Sequence, residues 1–496
     1  MFTSVCDNFK SNILKIKDLA IDKYQVFTVS GIVVLLLSFL AIYLEQVLIL
    51  TIPLVLILGI LFITDYRLPY YLYFLVMPFS IEYYFPSGFG TDLPTEPLML
   101  LMTASALVLF LSDGSKITNV KYLQPITYAL LCHLCWIAIA AFTSESPFIS
   151  LKILLAKIWY IIPFYFLSLH LVKDPAFVKK IMAFTFWPLL IATVYIIVRH
   201  TSYGFSFESV NHVVRPFFRN HVSYASVLVL FVPFVWFLYK LEERNSMKYF
   251  YLLSMAVMVM GIYFSYTRAA ILSLILAFGC YYLIKWRLFF KSVLLGVPIL
   301  IFLVYFLVKD NNYVRFAPNF ERTVTHNDFG NLLDATYKLE DISTMERVYR
   351  WVAGAHMVAE KPYLGFGPGT FYTYYQNYTV TMFETYVSDN PEKSGMHNNF
   401  LMILVEQGFP GLIIFLIFCL MVLYQIQEQY SKTKDKNEKI LVMAAGLCII
   451  IILLTNLIND TLEVDKIGPF FFFSIAIIAR SHWLNRNIES ESMEVK

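Results

Sequence analysis

Residues 343–411 decide the fold, because they end the only long polar stretch (roughly 309–396) of an otherwise apolar chain. They read STMERVYRWVAGAHMVAEKPYLGFGPGTF, continue as a Tyr-rich polar run, and close with HNNFLMILVEQGFPG. Apolar residues at helical spacing predict a short amphipathic helix that extends to Lys361. The Pro and Gly residues of 362–369 then stop this helix and impose a tight backbone turn.

The composition around this stretch is that of a membrane protein. Of the 496 residues, 58% are hydrophobic and 15% are charged, and the net charge is +3. Soluble domains average about 25% charged residues, and apolar runs near the ~20 residues needed to cross a bilayer recur along the chain. We therefore predict an all-α membrane protein, a polytopic helical bundle of about 12–14 transmembrane helices with one large extracytoplasmic loop containing short helices. The small net charge and the lack of a basic tract argue against nucleic-acid binding.

Hydropathy predicts about fourteen membrane segments, and merging of tight pairs would leave about twelve. The segments are 27–44, 47–64, 69–85, 95–112, 124–142, 150–171, 177–198, 221–239, 249–266, 269–284, 289–308, 398–426, 440–459 and 467–483. The predicted organisation is an N-terminal cytoplasmic segment (1–26), a transmembrane bundle (27–308), an extracytoplasmic loop (309–396), C-terminal transmembrane helices (397–483) and a cytoplasmic tail (484–496).

The distribution of Lys and Arg predicts the orientation. These residues concentrate in one set of loops and in both termini, whereas the short loops of the other side hold only Arg199, Arg215, Arg219, Arg268 and Lys466. By the positive-inside rule, both termini are cytoplasmic and the 309–396 loop faces outward.

Three of the outer arginines run against this charge bias and are candidate ligand-binding residues. Arg215 and Arg219 lie in VRPFFRNHVSYAS, and Arg268 lies in FSYTRAA, a hairpin too short to carry a charge far from the bilayer. An arginine at that depth costs a few kcal/mol unless something compensates its charge. A bound anion compensates it, because a guanidinium grips phosphate oxygens bidentately. The alternatives are a snorkelling role for Arg268 and a solvent or lipid-headgroup contact for Arg219.

Possible secondary site residues are Lys152, Lys157, Arg350, Asn398 and Glu406, and all but Arg350 lie in or next to apolar segments. Lys152 and Lys157 lie on one flank of the sixth segment, where lysines pair with another group or line a wet cavity. His397 and Asn398 open an apolar helix at the predicted water–lipid boundary, so His397 is a functional candidate, with a structural role as the alternative. Glu406 precedes a Gly408–Pro410–Gly411 sequence that predicts a helix break, with the carboxylate buried against protein.

No metal site is predicted. Cys132 and Cys135 form a CxxC inside an apolar segment, which we interpret as small residues packing in a helix, with zinc or redox chemistry as the alternative. The remaining histidines lack carboxylates or cysteines at ligand spacing.

Several motifs resemble one known family. Arg350–Trp351, PYLGFGPGTF, HNNFLMILVEQGFPGL and YTRAAILSL are similar to the O-antigen ligase/O-antigen polymerase family of bacterial membrane glycosyltransferases, most densely over about 215–425. The resemblance implies a lipid-facing groove beneath an extracytoplasmic loop. It implies that Arg268 contacts the donor diphosphate, that Arg215, or its neighbour Arg219, is a second such arginine, and that His397 is the proposed general base. The chain departs from the family in its extra membrane segments and its Tyr-rich insertion.

The residues and the resemblance lead to one expected reaction. A glycan moves from polyprenyl (undecaprenyl) pyrophosphate to an acceptor sugar hydroxyl, such as that of lipid A–core, at the outer face of the bacterial inner membrane. Preorganised positive charge stabilises the leaving diphosphate, an imidazole takes the acceptor's proton, and no cofactor or metal is expected. A repeat-unit polymerase would use the same site. A transporter or flippase for a lipid-linked anion is the alternative from another class, but it predicts matched pseudo-repeats that are not evident.

Overall fold

The protein is described by a computed structural model for residues 67–84, 90–112, 124–309, 342–381 and 394–494, with Leu37, Glu384 and 388–390. The predicted segments 27–44 and 47–64, and the 310–341 part of the predicted loop, lie outside the described residues. The described part is a helical bundle that confirms the predicted all-α class.

The helices, in chain order, are α1 (Arg67–Val76), α2 (Thr95–Ser112), α3 (Pro125–Phe142), α4 (Pro147–Ile161, continued by a π-helical turn to Leu171), α5 (Pro175–Thr201), α6 (Val210–Val213), α7 (His221–Leu241), α8 (Asn245–Tyr263), α9 (Arg268–Lys285), α10 (Phe289–Val308), α11 (Ile342–Glu360), α12 (Phe371–Tyr374), α13 (Asn399–Lys432), α14 (Lys436–Thr455) and α15 (Gly468–Glu494).

Eight helices of the described residues, namely α3, α4 with its continuation, α5, α7, α8, α9, α13 and α14, are long and apolar enough to cross a membrane. The chain is therefore a multi-pass membrane protein.

Local sequence explains where these helices begin. Proline occupies the first position of α3, α4 and α5, where the N–H that it lacks would have no partner within the helix. Asparagine caps two other helices: the side chains of Asn220 and Asn398 accept hydrogen bonds from the backbone N–H groups of Ser223 and Leu401. Both caps satisfy donors that the first turn of a helix leaves open.

The core lies around α7 and α14. In their apolar windows 72% and 78% of the residues are buried, compared with 28% in α8 and 22% in α9. The apolar outer faces of α8 and α9 therefore suit lipid, and the centre of the bundle is protein-filled. In the CxxC segment, Cys132 and Cys135 are free thiols at exposed positions of α3.

A small β-hairpin corrects one predicted segment. The helix predicted over 69–85 ends at Val76 and passes through a 3-10 turn, Met77–Phe79, into strand β1, Ile81–Tyr84. This strand pairs antiparallel with β2, Gly90–Leu93, in a register that sets Ile81 opposite Leu93. The helix stops here because proline at position 78 cannot donate to the helical ladder, and the strand's backbone groups are satisfied by the partner strand.

The described part of the polar loop folds onto α13. The predicted amphipathic helix is confirmed as α11, which ends at Glu360, one residue before the predicted limit. It packs through a separate apolar cluster that includes Tyr349, Met357, Phe366, Phe371, Tyr375, Met396 and Val405. This cluster fixes α11 over the start of α13.

The predicted break in α13 is also present. Gly408 has φ 69°, outside the helical region, and Glu406 is buried. At the kink, the carbonyls of Val405 and Glu406 accept hydrogen bonds from the glycine-rich turn. The N–H of Phe366 donates to the carbonyl of Val405 (3.1 Å), and the N–H of Gly367 donates to the carbonyl of Glu406 (2.9 Å). A Cβ on Gly365 would overlap the backbone of Glu406. The backbone of the glycine-rich turn therefore packs directly against the backbone of the kink.

Candidate functional site

His397 lies at the junction between the polar loop and α13. Its φ of 55° places it in the left-handed region, which non-glycine residues adopt only where surrounding contacts hold them. Two side chains of α11 supply such contacts on the preceding segment. Arg350 donates to Ser394 Oγ (3.1 Å) and to the carbonyl of Gly395 (3.0 Å), and Trp351 Nε1 donates to the carbonyl of Met396 (3.0 Å). Hydrogen bonds from α11 therefore hold the backbone segment 394–396 that precedes His397.

The residues after His397 attach it to the turn between α14 and α15. Asn398 caps α13 and also donates from Nδ2 to the carbonyl of Leu457 (2.9 Å). The N–H of Asn399 donates to the carbonyls of Asn456 (3.0 Å) and Asn459 (3.2 Å). Asn398 and Asn399 thus attach the backbone next to His397 to the turn between α14 and α15, in addition to the contacts that α11 makes with the preceding segment.

Asp460 is the carboxylate that this loop brings to His397. The backbone N–H of His397 donates to the Asp460 carboxylate, and the imidazole Nδ1 lies 3.9 Å from Oδ1. Burial raises the pKa of Asp460 above its usual range, against the stabilising effect of backbone donors and of Arg350 and Arg347. At 3.9 Å the ring and the carboxylate are close but not hydrogen-bonded, so a small movement is needed to join them.

Burial and two arginines set the pKa of the imidazole. Burial, followed by the charges of Arg347 and Arg350, lowers the pKa of His397 to about 3. The pKa of an ordinary histidine lies near 6.5, and it is lower here because burial, and then the two guanidinium charges, disfavour the protonated ring. The imidazole is neutral at ordinary pH, which is the form that can accept a proton.

Arg347 connects His397 with the start of α7. Its charge acts on His221, the first residue of α7, as well as on His397. His221 in turn contacts the start of α9, because Thr267 Oγ1 donates to its carbonyl (3.4 Å). Arg268 follows as the half-buried first residue of α9. Arg268 and His397 therefore belong to the same end of the bundle.

The other two arginines that were predicted to face outward are exposed at the same end of the bundle. Arg219 is exposed, and its Nε lies 4.0 Å from Glu82 Oε2 of the β-hairpin. Arg215 is also exposed, and its carbonyl accepts a hydrogen bond from Arg199 (2.7 Å). Lys466 donates to the carbonyl of Phe217 between them, so the loop that carries Asp460 also contacts the arginine segment.

The remaining candidates have contacts of their own. Lys157 forms an ion pair with Glu463 and is buried, whereas Lys152 is exposed. Glu406 Oε1 accepts the N–H of Phe371 (3.2 Å), which ties the glycine-rich turn to α13. Arg350 is bound on three sides, with Nη2 also 3.4 Å from Glu346 Oε2. Contacts within the protein thus hold the side chains of Glu406, Lys157 and Arg350.

Sequence reasoning missed Asp460, Arg347 and Glu463. Asp460 and Glu463 lie in the short NDTLEVDK loop between the last two membrane helices, and an orientation argument built on Lys and Arg gives no weight to acidic residues. The available signal was the concentration of three acids in one short loop between two apolar segments.

The helices and the polar end loops define a polytopic all-α membrane protein with a buried charged cluster at one end. Residues 253–416, which include Arg268, Arg350 and His397, match the family model described as O-Antigen ligase. The match covers about a third of the chain and confirms the resemblance to the O-antigen ligase/O-antigen polymerase family. No curated protein matches the chain.

Proposed function

We propose that this protein transfers a glycan from polyprenyl pyrophosphate to an acceptor sugar hydroxyl, such as that of lipid A–core, at the outer face of the bacterial inner membrane. The observation that carries the proposal is the position of a neutral, arginine-flanked His397 within the O-antigen ligase match, at the end of the bundle where Arg268 begins α9. Both termini are cytoplasmic in this proposal, and the α11 loop is periplasmic.

The acceptor hydroxyl attacks the anomeric carbon of the donor. A new glycosidic C–O bond forms as the C–O bond to the diphosphate breaks, and polyprenyl pyrophosphate leaves with the electron pair. His397 takes the acceptor proton as general base. Arg268, with Arg215 or Arg219, binds the diphosphate and stabilises the negative charge that develops on it. The activated bond is already in the donor, so the proposal requires neither ATP nor a metal ion.

The low pKa of His397 fits this sequence of events. In the free protein, burial and the charges of Arg347 and Arg350 keep the imidazole neutral. When an anionic diphosphate binds at Arg268, at the same end of the bundle, its negative charge opposes the charges of Arg347 and Arg350 and raises the pKa of His397. The imidazole therefore becomes a stronger base only when the donor is in place.

A repeat-unit polymerase is the second candidate, because the O-antigen ligase/polymerase family match applies equally to a growing chain transferred onto the next lipid-linked unit. Purified protein given a polyprenyl-linked glycan and lipid A–core tests the proposal. We expect one product, the glycan on lipid A–core, with release of polyprenyl pyrophosphate. A ladder of longer glycans on polyprenyl pyrophosphate would identify a polymerase, and movement of intact donor across vesicles without release would contradict both.

A further inference from the structure

His221, the first residue of α7, lies where several segments of the chain meet. Its carbonyl accepts a hydrogen bond from Thr267 Oγ1 (3.4 Å), and Thr267 directly precedes Arg268 at the start of α9. The segment between α5 and α7 reaches His221 through Asn211 of α6, and the charge of Arg347 of α11 acts on its ring. His221 therefore lies at the same end of the bundle as the proposed transfer site, although the proposed reaction gives it no role.

Asn211 determines which nitrogen of the His221 ring carries a proton. Asn211 Oδ1 lies 3.0 Å from the backbone nitrogen of His221 and 2.8 Å from its ring Nδ1. A backbone N–H can only donate, so the side-chain atom of Asn211 that it meets is the carbonyl oxygen, which can only accept. Nδ1 must therefore be a donor as well. In the neutral ring the proton lies on Nδ1, and Nε2 carries a lone pair.

The position of Nε2 is set by the contacts of the rest of the ring. Nε2 lies on the other edge of the imidazole and points away from Asn211. The hydrogen bonds of His221 within the described residues use its N–H, its Nδ1 and its carbonyl, and none of them uses Nε2. The ring also packs edge-on against Phe207, with 6.0 Å between the ring centroids. Nε2 is therefore a hydrogen-bond acceptor in a fixed orientation.

The chemistry of this nitrogen selects its ligand. Most imidazoles are neutral at about pH 7.5, because the ordinary histidine pKa is near 6.5. A lone pair on Nε2 repels phosphate oxygens, which are acceptors themselves, and accepts hydrogen bonds from hydroxyl or amide N–H groups. Sugars carry such groups. In the proposed donor, the first sugar is joined directly to the diphosphate that Arg268 binds, so this sugar is the nearest source of hydroxyl groups.

We propose that His221 orients the first sugar of the donor, by accepting at Nε2 a hydrogen bond from a hydroxyl or amide N–H of that sugar. This inference rests on the proposed function and adds a sugar contact to it. Arg268 binds the diphosphate, His397 takes the acceptor's proton, and His221 fixes the ring whose anomeric carbon is attacked. Such orientation of the reacting carbon lowers the barrier of a two-substrate reaction.

Two conservative variants separate this role from a purely structural one. His221→Gln can place an amide oxygen near the position of Nε2 but loses the donor to Asn211. His221→Asn can keep a donor near the position of Nδ1 but has no acceptor in place of Nε2. Both are compared with the wild type, with Arg268→Ala and with the control His356→Asn, at an exposed position of α11.

Binding is measured with purified full-length protein in detergent, at about pH 7.5. The probes are a polyprenyl-pyrophosphate-linked glycan and bare polyprenyl pyrophosphate. We expect His221→Asn to bind the glycan-bearing lipid about threefold to tenfold more weakly than the wild type, because one neutral hydrogen bond is lost. Its affinity for the bare lipid should be unchanged. His221→Gln should bind the glycan-bearing lipid better than His221→Asn does, and His356→Asn should match the wild type.

The two lipids also separate failure of this inference from failure of the proposed function. Wild-type affinity of His221→Asn for the glycan-bearing lipid, an equal loss for both lipids, or weaker binding by His221→Gln than by His221→Asn would overturn the role of Nε2. The proposed function survives these results if Arg268→Ala loses affinity for both lipids. Wild-type binding of both lipids by Arg268→Ala would instead contradict the proposed diphosphate site and, with it, the sugar contact.

Discussion

Gly395 lies directly against Asp460, so that a Cβ on residue 395 would overlap the carboxylate oxygen Oδ2. The carbonyl of the same glycine accepts a hydrogen bond from Arg350. The absence of a side chain at position 395 therefore lets the carboxylate approach the backbone that carries His397.

Gly395→Ala tests that relationship. The added methyl group must displace Asp460 or the 394–396 segment, so we expect at least about a tenfold loss of turnover and about 1–3 kcal/mol of destabilisation. The control is Gly279→Ala in α9, where a Cβ would meet nothing within 4 Å. Glycan-transfer rates and unfolding midpoints are compared. Unchanged turnover in Gly395→Ala would mean that the contact between Asp460 and the loop has no part in the reaction.

Arg350→Lys separates positioning from charge. Lysine retains the positive charge but cannot hold Ser394 and Gly395 together as the guanidinium fork does. We expect slower transfer, near-normal donor affinity and faster backbone hydrogen exchange at 394–398. Arg350→Ala also leaves Glu346 without its buried cation, which costs about 3–5 kcal/mol. His356→Ala, at an exposed position of α11, controls for changes to this helix. Normal exchange and turnover in Arg350→Lys would contradict a positioning role.

Arg268→Ala tests the proposed diphosphate contact. Loss of a charge-assisted hydrogen bond worth about 1.5–3 kcal/mol predicts donor binding weaker by about tenfold or more. Arg287→Ala, just beyond the other end of α9, is the matched control for removing an arginine from this region. Donor affinity is measured by binding of the lipid-linked glycan to purified protein, with membrane insertion checked for both. Equal affinities of the two variants would remove Arg268 from the site.

The pH dependence of stability follows from the low pKa of His397. In the folded protein this imidazole stays neutral down to a pKa of about 3, whereas an unfolded histidine titrates near 6.5. Between about pH 6.5 and 3 the unfolded chain binds the additional proton, so stability falls as the pH falls through this window. His397→Gln removes this contribution. We expect the unfolding midpoint of the wild type to decrease more between about pH 7.5 and 5 than that of His397→Gln; parallel curves would contradict the low pKa.

Most of the fold was predictable because hydropathy and helix breakers act locally. Each of the twelve predicted segments that fall on described residues contains a helix, although the segment predicted over 69–85 is helical only to Val76 before its 3-10 turn. The Gly408–Pro410 sequence correctly indicated the kink and the buried Glu406. The hairpin was missed because its strands, Ile81–Tyr84 and Gly90–Leu93, are too short to give a clear alternation. Asp460 was missed because its proximity to His397 depends on the packing of two loops about sixty residues apart, which no local pattern encodes.

The electrostatics of the site were also beyond sequence reasoning. His397 was predicted as a functional candidate from its helix-start position and as a general base from the family resemblance, but its low pKa depends on burial and on Arg347 and Arg350 of α11. Arg350 was treated only as a secondary candidate, and its hydrogen bonds to the segment before His397 required the folded loop.

The most direct measurement is the transfer rate of His397→Ala beside its control, His356→Ala, with purified polyprenyl-linked donor and acceptor. Removal of a general base costs about 10²–10⁴-fold in turnover. We predict a loss of that size for His397→Ala, donor affinity close to that of the wild type, and normal turnover for His356→Ala. Wild-type turnover by His397→Ala would contradict the account.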